Sequence, residues 1–164
     1  MHARGQASQL LCPQLPPSPR EAMQLAHKLV SDVPAALLTV IGSSLGGYYA
    51  TALAEATGCR AVLLNPAVRP ARALASHVGL QTAWHSEEPF EFLPEYIDEL
   101  ASMVVARITQ PERYFLIAAK GDEVLDWREM VAHYPGARQR VIDGSDHGLS
   151  DFDQYLDDVL AFCA

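Results

Sequence analysis

The sequence predicts an α/β fold built on a mostly parallel β-sheet with helices on both faces. Three observations carry this expectation. Residues 36–41, 61–64 and 114–119 are continuous apolar runs without polar alternation, the pattern of parallel strands covered on both sides. Between them lie windows whose apolar residues recur every three or four positions, as on one helix face. The two kinds of segment alternate along the chain, which is the order of an α/β protein.

Taken in order, residues 9–12 form the first apolar run, cut off by Pro13 and by Pro16-Pro17, which cannot donate ladder hydrogen bonds. A short strand is the most that run can make. Residues 21–31 place Ala22, Leu25, Ala26, Leu29 and Val30 at helical spacing. The 36–41 run is a buried strand, and from Ser44 the period becomes helical through Leu45, Tyr48, Tyr49, Ala52, Leu53 and Ala56, until Gly58 closes the helix. Residues 61–64 make the next strand, ended by Pro66 and Pro70. A short helix is expected over 71–77, and an irregular loop over 79–94, long enough to act as a cap or lid. Pro94 suits a helix start, with Ile97, Leu100, Val104 and Ile108 following as one stripe. Residues 114–119 are a strand, 126–134 a helix and 140–142 a last strand. Phe152, Tyr155, Leu156, Val159, Leu160 and Cys163 fit one face of a closing helix.

With 164 residues the chain suits one domain over residues 8–164, preceded by a poorly ordered arm over 1–7. Its composition, 49% hydrophobic and 20% charged, is that of a globular protein, and no apolar run is long enough to span a bilayer. A net charge of −8 without any cluster of Lys and Arg argues against nucleic acid as a partner. Cys12, Cys59 and Cys163 are an odd set without C-x-x-C spacing, which points away from a disulfide framework or zinc site and toward reduced thiols in the cytoplasm. The N-terminal residues offer only a four-residue apolar patch before Pro13, too short for a signal-peptide core.

Ligands of open α/β sheets bind beyond the carboxyl ends of the strands, so the loops leaving the strands hold the candidates. Gly42-Ser43-Ser44-Leu45-Gly46 matches G-x-S-x-G, in which flanking glycines permit a strained strand-to-helix turn that exposes the serine hydroxyl. The backbone N–H groups that follow, beginning with Leu45, open the helix unpaired and can hold an oxyanion. A plain N-cap is the competing role for Ser44. A serine nucleophile needs a base, usually a histidine oriented by a carboxylate. His147 lies in the polar loop Asp143-Gly144-Ser145-Asp146-His147-Gly148, after the last strand, whereas His27 and His133 fall within expected helices and His77 near a helix end. For the carboxylate, Gly121-Asp122-Glu123-Val124-Leu125-Asp126 offers several acids. Asp126 with Glu129 has capping-box spacing, Asp143 and Asp146 lie near His147 in sequence, and Asp122 sits next to a strand end; Asp126 and Asp146 remain alternatives to Asp122. The order Ser44, Asp122, His147 is that of the α/β-hydrolases. Trp84, Phe90 and Phe92 are candidates for an apolar acyl pocket. No metal or cofactor is called for.

Four segments together, 13–17 (Pro-Gln-Leu-Pro-Pro), 42–51 (Gly-Ser-Ser-Leu-Gly-Gly-Tyr-Tyr-Ala-Thr), 65–70 (Asn-Pro-Ala-Val-Arg-Pro) and 121–126, resemble the bacterial YqiA-like esterases, small α/β-hydrolases. The resemblance runs from about residue 8 to the end. It implies a cytoplasmic serine esterase acting on acyl esters or thioesters, with Ser44, Asp122 and His147 as its triad. The chain departs from the family in lacking an initial strand with a His-Gly-Phe type turn and the helix after it. The resemblance therefore implies an N-terminally truncated domain, short of about thirty residues, the size of one β-α unit. Loss of that turn removes the second oxyanion donor, worth on the order of 3 kcal/mol, and an open sheet edge biases the protein toward a homodimer. A non-catalytic α/β-hydrolase-fold binding protein with an incomplete oxyanion hole is the alternative function.

Overall fold

The computed structural model describes residues 10–71, 79–82 and 89–164. Among the described residues the main sheet has four strands, β1 (Thr39–Ser43), β2 (Arg60–Leu64), β5 (Tyr114–Ala119) and β6 (Arg138–Ile142), in the order β1-β2-β5-β6 and all parallel. A separate antiparallel pair joins β3 (Gly79–Thr82) to β4 (Pro89–Phe92). The helices are α1 (Pro19–Val30), α2 (Leu45–Thr57), α3 (Glu95–Ser102), α4 (Trp127–His133) and α5 (Leu156–Cys163).

The unbroken apolar character of β5 follows from its place between two covered faces. Tyr114, Leu116 and Ala118 point to a cluster with Ala50 and Ala54 of α2 and Met130 of α4. The alternate residues Phe115, Ile117 and Ala119 meet Tyr155 and Val159 at the C-terminus of the chain. Both faces are therefore covered at the inner strands, as their apolar runs imply, whereas Ile41 of β1 is 46% exposed, so the 36–41 run does not make the fully buried strand expected of it. The helix α1 starts at a Ser18 cap whose Oγ accepts from the Glu21 N–H at 3.2 Å. That same hydroxyl donates to buried Glu99 of α3 at 2.8 Å, so one residue both caps a helix and docks it. Helix α2 ends in Gly58 at φ 82°, a left-handed closure that favours glycine.

Several expectations require correction. Residues 10–12 form no strand: Leu10 and Leu11 are 49% and 63% exposed, and an apolar run without a hydrogen-bonded neighbour has nothing to hold it extended. Gln9 and the arm over 1–7 lie outside the described residues. The strand expected at 36–41 begins at Thr39, because Pro34 opens a 3₁₀ turn over Ala35–Leu37. Residues 79–94 are not wholly irregular, since β3 and β4 pair there. The helix after Pro94 stops at Ser102; Val104 is 56% exposed, and Ile108 reaches the core from a non-helical segment. The last helix is divided, with a 3₁₀ turn over Phe152–Gln154 ahead of α5. The helix expected over 71–77 falls almost entirely outside the described residues.

Candidate active site

The turn from β1 into α2 places Ser44 at φ 52° and ψ −120°, a strained conformation for a residue with a side chain. Surrounding bonds hold it there. The Ser44 N–H donates to the Leu64 carbonyl of β2 at 3.0 Å, and its own carbonyl accepts from the N–H groups of Gly47 (3.0 Å) and Ala67 (2.9 Å). Its hydroxyl makes no cap bond to the helix, which sets aside the plain N-cap role. The glycines divide the steric work unevenly. A Cβ on Gly42 would lie 2.1 Å from the Gly46 carbonyl oxygen, and one on Gly47 2.6 Å from the Pro66 Cβ, whereas Gly46 has open space around its Cα. The absence of a Cβ is thus required at Gly42 and Gly47, and not at Gly46, whose backbone is what Gly42 approaches.

Across from this turn, the loop after β6 carries His147, which is 8% exposed. Its Nε2 lies 2.9 Å from the Ser44 Oγ, and its Nδ1 lies 3.0 and 2.9 Å from the two oxygens of Asp122. The Asp122 side chain is fully enclosed, and its Oδ1 accepts from the N–H groups of Val124 and Leu125, both at 2.8 Å. An ionised carboxylate only accepts, so Nδ1 carries the ring proton and Nε2 is left to accept from the serine hydroxyl.

The other acids have different partners. Asp126 caps α4 by accepting from the Arg128 N–H at 2.9 Å. Asp146 accepts from the Ser150 N–H at 2.9 Å, and its bonds to Ser150 hold its carboxyl below the usual aspartate value. Asp143 pairs with Lys120. Glu123 reaches the backbone of His147, accepting from its N–H at 3.1 Å. His133 sits at the end of α4 with its ring against Tyr134; burial and then the charge of Arg69 lower its pKa. Leu45 begins α2, where a first-turn N–H has no intrahelical acceptor.

The apolar candidates are partly visible. Trp84 lies outside the described residues, as does the side chain of Phe90. Phe92 is a buried core residue, enclosed with Tyr48 and Leu100 in a cluster against which Leu45 and Tyr96 pack. A cleft of about 610 Å³ opens beside Asp122, with Lys120, Glu123, Trp127 and Arg128 in its wall, and is lined by neither Ser44 nor His147.

One residue with a structural part in the site escaped the sequence reading. Asn65, after β2, is completely buried at φ 40°, and its side chain bonds both to the loop of His147 and to the end of β5. Its place between a strand end and a proline marks it as a terminator, and the 65–70 segment it opens carries the family resemblance without assigning it a role; its partners, 81 and 82 residues away, leave no local signal.

A parallel sheet covered on both faces, with a strained serine at a strand-to-helix turn, is the architecture of the α/β-hydrolases, and solved structures agree. The chain superimposes on mouse alpha/beta hydrolase domain-containing protein 10 with a TM-score of 0.63 and 18% identity, covering 90% of this chain and 71% of that one. For the esterase domain of a Rhodothermus marinus protein the values are 0.60, 22%, 85% and 65%. For the monoacylglycerol lipase of Paleococcus ferrophilus they are 0.62, 14%, 90% and 76%. The fold is thus α/β-hydrolase-like. Within that class, the chain belongs to the uncharacterised protein family UPF0227, the YqiA-like family, whose model matches residues 2–164.

Proposed function

We propose that the protein is a serine hydrolase of the carboxylic ester class, an esterase or thioesterase, whose residues 8–164 work as one domain. The observation that supports this most directly is the continuous relay from Ser44 Oγ through His147 Nε2 and Nδ1 to Asp122, with every step at 2.9–3.0 Å. Ser44 attacks the acyl carbonyl while His147 takes the hydroxyl proton, and Asp122 holds the ring in the required tautomer and stabilises the imidazolium. The Leu45 N–H donates to the oxyanion of the tetrahedral intermediate. Collapse expels the alcohol or thiol, which receives its proton from His147, and leaves an acyl-enzyme. His147 then deprotonates a water that attacks the acyl group, and the proton returns to Ser44 as the carboxylic acid departs. No cofactor enters these steps.

Acyl-chain selection is expected from the segment carrying Trp84, Phe90 and Phe92, because the Phe92 cluster packs against Leu45, the residue that donates to the oxyanion. Three free thiols, one of them exposed, fit a reducing cytoplasmic setting. The test is hydrolysis of p-nitrophenyl esters and acyl thioesters over a range of chain lengths. Ser44→Ala should reduce kcat by about 10⁴-fold or more. Equal turnover by that variant would reject the reading, and a folded wild-type chain inert toward the whole panel would favour a non-catalytic binding protein.

A further inference from the structure

The loop leaving β2 carries a buried amide that stands outside the relay yet bonds both to the loop of His147 and to the end of β5, which leads into the loop of Asp122. Asn65 Nδ2 donates to the carbonyls of Asp146 and His147, both at 3.0 Å, and its Oδ1 accepts from the Ala119 N–H at 2.8 Å. The orientation of the amide is fixed by this set, since exchanging oxygen and nitrogen would face an acceptor with two carbonyls and a donor with an N–H. Its backbone N–H donates to the Ile117 carbonyl at 2.9 Å, and its φ of 40° is one that asparagine tolerates better than most residues.

These bonds link two chain segments with different tasks. Ala119 ends β5, three residues before Asp122, and the carbonyls belong to the loop that presents His147. The peptide groups of His147 are held on both sides, the C=O by Asn65 and the N–H by Glu123. Nearby, the same two loops touch through their backbones: the Gly121 N–H donates to the Gly144 carbonyl at 3.0 Å, and a Cβ on Gly121 would lie 2.2 Å from the Ser145 carbonyl oxygen. A displaced His147 peptide would carry its ring away from Asp122, from Ser44, or from both.

We infer that Asn65 is a positioning residue that clamps the acid-bearing and base-bearing loops in one register, so that a single imidazole meets Asp122 and Ser44 together. Its consequence for turnover rests on the hydrolase reading above; its consequence for the ring does not. A primary amide is the side chain that offers two donors and an acceptor at this length without a charge. Aspartate keeps the shape but would set a carboxylate against two carbonyl oxygens.

The test compares Asn65→Asp and Asn65→Gly, the latter suited to the positive φ, with wild type. It uses p-nitrophenyl acetate kinetics and the downfield ¹H NMR signal of the His147 Nδ1 proton, identified by its absence in His147→Gln. Circular dichroism reports whether each variant folds. In a folded variant, kcat should fall by about 100-fold with KM nearly unchanged, and the downfield proton should shift or vanish. Wild-type kcat or an unaltered downfield proton in a folded variant would overturn the inference. So would failure of both variants to fold, which would make Asn65 a stability residue. If wild type hydrolyses no ester, the hydrolase reading falls, and the downfield proton alone decides the inference in the same way.

Discussion

Strand β5 has a polar cluster at each end, and the two differ in kind. At its start, Tyr114 donates to Glu55, which also accepts from the Thr109 hydroxyl at 2.8 Å and N–H at 3.2 Å and has Arg113 3.9 Å away. Beyond its other end, Asp122 meets His147, His147 meets Ser44, and Asn65 holds the loops together. Each cluster withdraws a carboxylate from water and satisfies it with several donors. Only the second includes strained backbone: among the described residues the non-glycine positions with positive φ are Ser44, Asn65, Ser145 and Leu149, all in segments leaving β1, β2 and β6. A satisfied, partly buried carboxylate is thus no mark of a site by itself. Strain concentrated around a hydroxyl and an imidazole is the more telling sign, because the fold maintains it against a local cost.

The largest effect that would test this contrast is on the second cluster. Asp122→Asn should lower kcat by about 10⁴-fold, since the ring tautomer is no longer enforced, and steady-state kinetics on the most active ester would measure it. Next comes the turn itself. Gly42→Ala drives a methyl to within 2.1 Å of the Gly46 carbonyl oxygen and should destabilise the fold by about 1–3 kcal/mol. Gly46→Ala meets nothing within 4 Å and should instead gain about 0.5–1 kcal/mol from helix propensity. Urea denaturation of both variants separates a steric requirement from mere motif membership.

At the opposite end of β5, Tyr114→Phe should cost about 1–2 kcal/mol of stability with kcat unchanged. It also has a pH signature. Burial pushes the Glu55 carboxyl upward, but the bonds from Tyr114 and Thr109 and the charge of Arg113 outweigh it and hold the group below its ordinary 4.5. A carboxyl lowered in the folded state stabilises the protein above its unfolded pKa, and that contribution is lost as pH falls through the folded value. Acid unfolding of Tyr114→Phe should therefore begin at higher pH than that of wild type. The smallest loss is expected for Asp126→Ala, which removes the cap of α4 for about 1 kcal/mol and leaves kcat at the wild-type level. A large kcat loss there would move the acid role away from Asp122.

The parts of this architecture that were legible in the sequence are those where local pattern and global position coincide. The runs at 61–64 and 114–119 are apolar because both faces are covered, and Gly58 ends α2 through its own positive φ. Ser44, Asp122 and His147 could be proposed because each follows a strand, where loops of such sheets converge. Boundaries were less legible. Leu37 and Leu38 look like strand residues, yet Pro34 opens a 3₁₀ turn over the first of them. Ile108 keeps helical spacing with Leu100, and both are buried, but the chain leaves the helix at Met103 and reaches the core by another route. The pairing of Gly79 with Phe92 joins segments whose turn signals are weak, so length alone suggested a loop. Asn65 shows the limit most clearly, because its bonds are to residues distant in sequence and its local context reads as a strand end.

The most direct test of the central claim is intact-mass and peptide mapping after exposure to a fluorophosphonate, a reagent that labels activated serines. Wild type should carry a single adduct on Ser44, and Ser44→Ala and His147→Gln should carry none. An adduct on a different residue, or none on a wild-type protein shown to be folded, would contradict it.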